Sequence, residues 1–285
     1  MTEIERSDEL QAALLEATRL SDEGQDMEAL EVVLAAEKGR EEDPTLLCMI
    51  GALAAQLGSE GMAVDYFTRC VDQAPTDVEV LIVAGAGLAA VGDPAAEPAL
   101  RLAALTAPAN PAARSNYGTF LVRNGLVEQG IEELEQARTL DPDDADIRRS
   151  LGVAYLLQGR AAESLDELES AVEADSDNPD GRLLWGLALL TSGDLSHAAE
   201  ALYPLGEAIP QDGIVQLILA LTFRLEGWEE EAWVAFGRAG EADPPIDAAS
   251  LREVEDAIAD EDNAAREILF DELAPMTLRE RMFPG

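Results

Sequence analysis

From Leu10 to Pro244, apolar residues recur at helical spacing in stretches of 12 to 15 residues, separated by short polar runs carrying Gly, Pro, Asp or Asn. Such spacing lines one face of an α-helix and predicts a chain of amphipathic helices. The glycines between apolar stretches keep a period: Gly24, Gly58, Gly92, Gly125, Gly159, Gly193 and Gly227 are separated by 34, 34, 33, 34, 34 and 34 residues. A constant interval of this size is the mark of a repeat architecture. Each period holds two helices with the glycine between them, so the repeating unit is a helical hairpin. In Ala145 to Asn178 the first helix carries Leu151, Gly152 and Tyr155, the turn Gly159, and the second helix Leu165, Leu168 and Ala171. The same phase holds in Tyr117, Gly118, Leu121, Gly125, Gly130, Leu134 and Ala137 before it, and in Trp185, Gly186, Leu189, Gly193, Ala198 and Leu202 after it.

Each position has a physical role. A small residue after a bulky one lets the paired helices approach closely, glycine supplies the open backbone of a tight turn, and a late proline ends the second helix. This pattern resembles the tetratricopeptide repeat. The resemblance implies an all-α fold: a right-handed superhelical α-solenoid of about seven helix-turn-helix repeats with C-terminal capping helices. The copies begin near Leu10, Pro44, Val78, Pro111, Ala145, Pro179 and Gly213, giving a solenoid over 1–244 and a capping helix and tail over 245–285. The first copy departs from the pattern with Glu16 and Ala17 at the bulky-small pair and Glu41 at the proline, as a terminal cap can. The third places Glu97 and Arg101 at second-helix core positions, which puts its packing in question.

Past Pro244 and Pro245 the period stops, but Leu251, Val254 and Ile258 keep helical spacing, as a helix capping the last repeat would. Ala264 to Leu273 carries Ile268, Leu269, Phe270 and Leu273, and the final stretch carries Leu278, Met282 and Phe283. This tail reads as a short helix that either packs against the solenoid or reaches another surface.

Composition narrows the function. The chain has 285 residues, 58 acids against 19 bases and a formal net charge of -39, with Lys38 the one lysine. Affinity for nucleic acid or anionic membrane is not expected, because such partners recruit Lys and Arg to phosphates. With 47% hydrophobic residues the chain can build an extensive core, yet no stretch approaches the roughly 20 apolar residues of a membrane span. The opening MTEIERSDEL has no basic and apolar signal region, and two cysteines suit a reducing compartment; both predict a cytoplasmic location.

Several segments imitate chemical motifs. Gly85, Gly87 and Ala90 fit G-x-G-x-x-A after an apolar run, but Gly85 is the small residue of the repeat, and Thr106 and Ala107 stand where a ribose-binding acid would be. Asp175, Asp177, Asp180 and Gly181 resemble a calcium loop, yet Pro179 takes a ligand position and no glutamate closes it, so these acids are expected at a helix start. His197 is the single histidine, which removes His-paired metal sites and catalytic triads and predicts a surface position. Cys48 and Cys70 are expected to face groove and core respectively, Lys38 lacks a phosphate loop, and Trp185, Trp228 and Trp233 are read as packing residues. A non-enzymatic protein without metal or cofactor is expected.

The resemblance implies that the first helices line a concave groove. Its predicted floor comprises Met49, Ala52, Val83, Ala86, Asn116, Thr119, Arg123, Arg149, Val153, Leu157, Leu184, Leu187, Ile218, Leu221 and Arg224. Members that grip a terminal carboxylate use Lys, Asn and Arg there; here lysine is absent and Asn116 stands alone. An apolar trough suits a hydrophobic or amphipathic protein segment, with Arg123, Arg149 and Arg224 as polar anchors for acidic groups flanking its hydrophobic side chains. The expected role is therefore a scaffold or chaperone-like adaptor binding a protein or peptide; the alternative is a structural module that self-associates through its terminal repeat or the tail from Ala274.

Because these positions hold almost no acid, the charge belongs to outer faces and helix starts. Adaptation to high salt explains it, as does a GC-rich genome that favours Arg and Ala. The Debye length shrinks from about 10 Å at 0.1 M to about 3 Å at 1 M salt, so self-repulsion fades as salt is added. The salt explanation predicts a melting temperature that rises from low to molar NaCl; a flat or falling Tm rejects it.

Overall fold

The structure, a computed structural model, describes residues 3–40, 42–259 and 263–282, and among these every regular element is helical. Glu41 and Phe283, both singled out above, lie outside the described residues. The chain forms two compact units, residues 1–140 and 141–284. The first unit is four hairpins: α1 (Glu3–Asp22) with α2 (Asp26–Glu37), α3 (Pro44–Gln56) with α4 (Glu60–Asp72), α5 (Val78–Ala90) with α6 (Ala96–Thr106), and α7 (Pro111–Arg123) with α8 (Val127–Leu140). The second has α9 (Ala145–Leu157) with α10 (Ala161–Ala174), α11 (Pro179–Ser192) with α12 (Leu195–Leu202) and the short α13 (Leu205–Ala208), then α14 (Gly213–Glu226) with α15 (Glu229–Gly240). It continues through α16 (Ala248–Ala259), α17 (Asn263–Glu267), a π-helical turn (Ile268–Leu273) and α18 (Ala274–Met282).

The local signals that make these hairpins repeat with the sequence. First helices open on a side-chain cap: Asp43, Asp77, Asn110, Asp144, Asn178 and Asp212 each accept a backbone N–H from the first turn. Such a cap contributes about 1 kcal/mol. The capping residue before α11 is Asn178 rather than an acid; Asp180 lies in the first turn and Asp175 accepts from the Asn178 amide at 3.3 Å. All seven marker glycines adopt φ between +70° and +84°, the left-handed geometry that turns one helix into the next. In the sixth copy Pro204 interrupts the second helix, because it offers no N–H and crowds the preceding turn.

Packing within a hairpin rests on a glycine of the first helix receiving a bulky side chain of the second. A Cβ on Gly51 would stand 2.7 Å from Phe67, one on Gly118 2.9 Å from Leu134, and one on Gly152 2.7 Å from Leu168. The third copy follows the same rule with a shift. Gly85 receives Leu100, and Ala96, Ala99, Leu100 and Ala103 form the buried face of α6. Glu97 and Arg101 therefore leave the core, where the sequence reading placed them, and pair with each other at 3.1 Å on the more exposed side. The cause is the 33-residue interval in this copy, which advances the helical phase by one residue.

A polar clamp repeats as well. Arg114 donates to the Pro108 carbonyl at 2.7 Å and to Glu133 at 2.6 Å; one period on, Arg148 donates to the Pro142 carbonyl at 2.7 Å and to Glu167 at 3.0 Å. Each ties a loop, a first helix and a second helix of one hairpin. Glu167 is the only acid that is buried among the described residues.

Glycines of similar helical context thus carry opposite predictions. Replacing Gly by Ala inside a helix favours folding by about 0.5–1 kcal/mol where space allows. At Gly237, on the exposed side of α15, a new Cβ meets nothing within 4 Å, so Gly237→Ala raises Tm. At Gly130 the Cβ would stand 2.7 Å from the Gly118 carbonyl oxygen, where backbone must give way, so Gly130→Ala lowers stability by about 1–3 kcal/mol. Thermal denaturation of the two variants reads both signs.

Candidate protein-binding grooves

In the first unit the predicted positions line a trough that stays open. Met49 and Ala52 on α3, Ala86 on α5, and Asn116 and Thr119 on α7 are half-buried, while Val83 is 40% exposed and Arg123 is exposed. Between α1, α3 and α5 the trough deepens into a recess of about 360 Å³, lined by Thr18, Ser21, Asp22, Cys48, Met49, Ala52, Gln56, Glu79 and Val83 among others. Its lining is largely apolar, with Thr18, Ser21 and Gln56 among the aliphatic side chains, and the exposed Asp22 and Glu79 stand at its rim. Asn116 spends its amide on the Ala112 carbonyl of its own helix at 2.9 Å, an arrangement unlike that of a carboxylate clamp.

Cys48 lines the groove and Cys70 lies in the core, as expected, yet the two thiols come close to each other. Cys48 lines the recess yet is almost wholly buried, its thiol near the Val80 carbonyl at 3.7 Å, and Cys70 reaches the Pro44 carbonyl one turn before Cys48 at 3.2 Å. The two thiols interact, and the neighbouring Cys70 together with burial pushes the Cys48 thiol well above its ordinary range. Antiparallel pairing explains the meeting. Gly51 faces Phe67, so three residues back on α3 and three residues forward on α4 fall opposite each other.

In the second unit the corresponding face is covered along α11 and α14 but stays exposed at the end of α9. Arg149 pairs with Asp146 at 2.6 Å, Val153 is buried and Leu157 is 40% exposed. Leu184, Leu187, Ile218 and Leu221 are all buried, in one core with Val254, Ala257, Ile258, Ala265, Leu269, Ala274 and Leu278 of the C-terminal helices. Arg224 donates from Nε to the Ile258 carbonyl at 2.9 Å, and Arg281 of α18 forms an ion pair with Asp212, the residue capping α14. Along α11 and α14 the expected trough is therefore filled by the chain's own C-terminal helices, and Arg224 is an anchor for α16. Sequence reasoning left two destinations for the tail; the structure selects packing against α11 and α14.

The other singled-out residues fall into structural settings. Trp228 stacks on Phe223 with ring centres 5.3 Å apart, and Trp185 is partly buried against the core. Trp233 is 44% exposed and meets Phe236 edge-on. His197 is on the surface; Asp194, the cap of α12, lies 2.8 Å from its Nδ1 and raises its pKa. Among the described residues no three His, Cys, Asp or Glu side chains converge as a metal-binding group, and no helix is long and apolar enough to cross a membrane.

Comparison with known proteins agrees with this geometry. Family models described as the tetratricopeptide repeat match residues 118–179 and 44–77. With repeated hairpins on both sides of these segments, the chain is a tetratricopeptide-repeat protein. A thermophilic TPR protein of Thermus thermophilus is similar in fold at 24% identity and a TM-score of 0.52, covering 63% of this chain and 98% of that one. The pilF protein of Pseudomonas aeruginosa is similar at 18% identity and a TM-score of 0.62, covering 76% of this chain and 99% of its own. No curated protein matches by sequence.

Burial assigns different weights to two leucines at groove and tail positions. Leu269 is fully buried between the tail and the repeats, so Leu269→Ala costs about 2–5 kcal/mol, whereas Leu157→Ala at an exposed position stays within about 0.5 kcal/mol. Chemical denaturation checks the contrast; equal effects would mean that the tail is not part of the core.

Proposed function

We propose that this protein is a non-enzymatic interaction scaffold that holds an apolar or amphipathic segment of another protein in the concave face of its first unit. The observation that carries the reading is the contrast between matching positions of the two units. Leu184, Leu187, Ile218 and Leu221 of the second are buried in one core with the C-terminal helices, while Met49, Ala52, Val83 and Ala86 keep accessible surface at or beside a recess of about 360 Å³. Apolar area removed from water contributes roughly 25 cal/mol per Å², enough for a few anchoring side chains to offset the cost of ordering the ligand.

The rim changes the expected polarity of the ligand. With Asp22 and Glu79 at the recess, basic residues flanking the apolar anchors are favoured, in place of the acidic groups anticipated from Arg123, Arg149 and Arg224. A chaperone-like role would follow if several unrelated apolar segments were accepted, and a dedicated adaptor if one sequence were strongly preferred.

Panning a random peptide library against the full chain tests this. Selected peptides are expected to combine aliphatic anchors with Lys or Arg. Their affinity should fall by about tenfold or more, or 1.4 kcal/mol, in Met49→Asp and Val83→Asp. Trp233→Ala, on an exposed face of the second unit, should leave it unchanged. Peptides indifferent to both aspartates would remove the first-unit trough as the binding surface.

A further inference from the structure

The helix that fills the second unit has the form of a ligand. Its inward positions Ala265, Leu269, Ala274 and Leu278 are buried, at intervals of four, five and four residues. An unbroken α-helix turns about 100° per residue, so a step of five would swing Ala274 roughly 140° away from Leu269. The π-helical turn at Ile268–Leu273 absorbs the extra residue and returns all four to one face. Beyond them Arg281 reaches Asp212. The concave face thus engages a helix by an aliphatic stripe and fixes its end by one charge pair.

This helix is not needed to close the solenoid. α16 packs on both α14 and α15 and buries Val254, Ala257 and Ile258, which covers the last hairpin, whereas α18 lies against α11. The fit is also imperfect. Thr277 is buried in this segment, and its hydroxyl finds no hydrogen-bond partner among the described residues. An orphaned buried hydroxyl weakens an apolar contact relative to an aliphatic group of the same shape.

We infer that the concave face of the second unit is a helix-binding surface with an exchangeable resident, the 263–282 helix. Its external ligand is a partner helix that carries small or aliphatic side chains at the same inward positions and an arginine near its C-terminal end for Asp212. The inference is independent of the first-unit trough, since it concerns different residues in a different unit.

A labelled synthetic peptide of residues 263–285, followed by fluorescence anisotropy with the full-length chain, provides the test. Arg281→Glu in the protein places a carboxylate against Asp212 and loosens the resident, so the peptide should bind this variant at least about tenfold more tightly than the unmodified chain. A Thr277→Val peptide should bind more tightly still, and a Leu278→Asp peptide should not bind. Absence of binding to Arg281→Glu up to about 1 mM, or equal binding of the Leu278→Asp peptide, overturns the proposal. Should Arg281→Glu prove unfolded, the unmodified chain decides. Excess Thr277→Val peptide should speed hydrogen exchange across the resident 263–282 helix, and unchanged exchange overturns the proposal. A doubled mass in light scattering that free peptide reverses means that the second chain's own helix makes the exchange. A doubled mass that peptide leaves unchanged counts against it.

Discussion

The distance between the two helices of a hairpin governs everything else in this solenoid. Gly51, Gly85, Gly118 and Gly152 let Phe67, Leu100, Leu134 and Leu168 sit almost against the backbone of the first helix. Interiors are packed densely enough that one added methyl at such a place must displace something. Close approach leaves the first helix with a second face that its own partner does not cover. That leftover face, repeated hairpin after hairpin, is the material from which a concave surface is made.

What happens to the leftover face differs between the units, and hydrophobic burial explains the difference. In the sixth and seventh copies it is nearly all leucine and isoleucine, as in Leu183, Leu184, Leu187, Leu217, Ile218 and Leu221, and such a surface gains heavily from being covered. The chain supplies the cover in α16 to α18. In the second and third copies the corresponding positions include Met49, Ala52, Ala86 and Ala89, with less area to bury and more compatible with contact with water. The residue composition of the two faces therefore matches a permanent or slowly exchanging occupant in one case and an open trough in the other.

Much of this was legible in the residues. Turn glycines, capping Asp and Asn, and glycine-to-bulky pairing are local or strictly periodic signals, so hairpin boundaries followed from them directly. The tail was harder to place, because its buried positions step by five at the π-turn and break the period by which an amphipathic helix is read. The Arg114–Glu133 and Arg148–Glu167 clamps did carry a signal, since both members recur after 34 residues, but each pair joins residues 19 apart, on different helices. The α6 shift arose from a single missing residue, which moves the buried side of a helix by about 100° while leaving its amphipathic appearance intact. The meeting of Cys48 and Cys70 needed the hairpin's antiparallel register, which composition does not reveal.

The charge also gains a location. Glu167 is buried and held by Arg148, while the other acids from Asp8 onward among the described residues keep contact with water, many of them at helix starts or on second-helix faces. An exposed carboxylate adds little to stability by pairing, and its repulsion from neighbours fades as salt is added. Apolar burial is not screened in this way. In a strongly saline solvent the Arg281–Asp212 pair would therefore set the register of the tail more than its strength, and the aliphatic stripe from Ala265 to Leu278 would supply the holding force. Surface acidity and groove apolarity are therefore separate physical features: added salt screens the first and leaves the apolar hold on the tail in place.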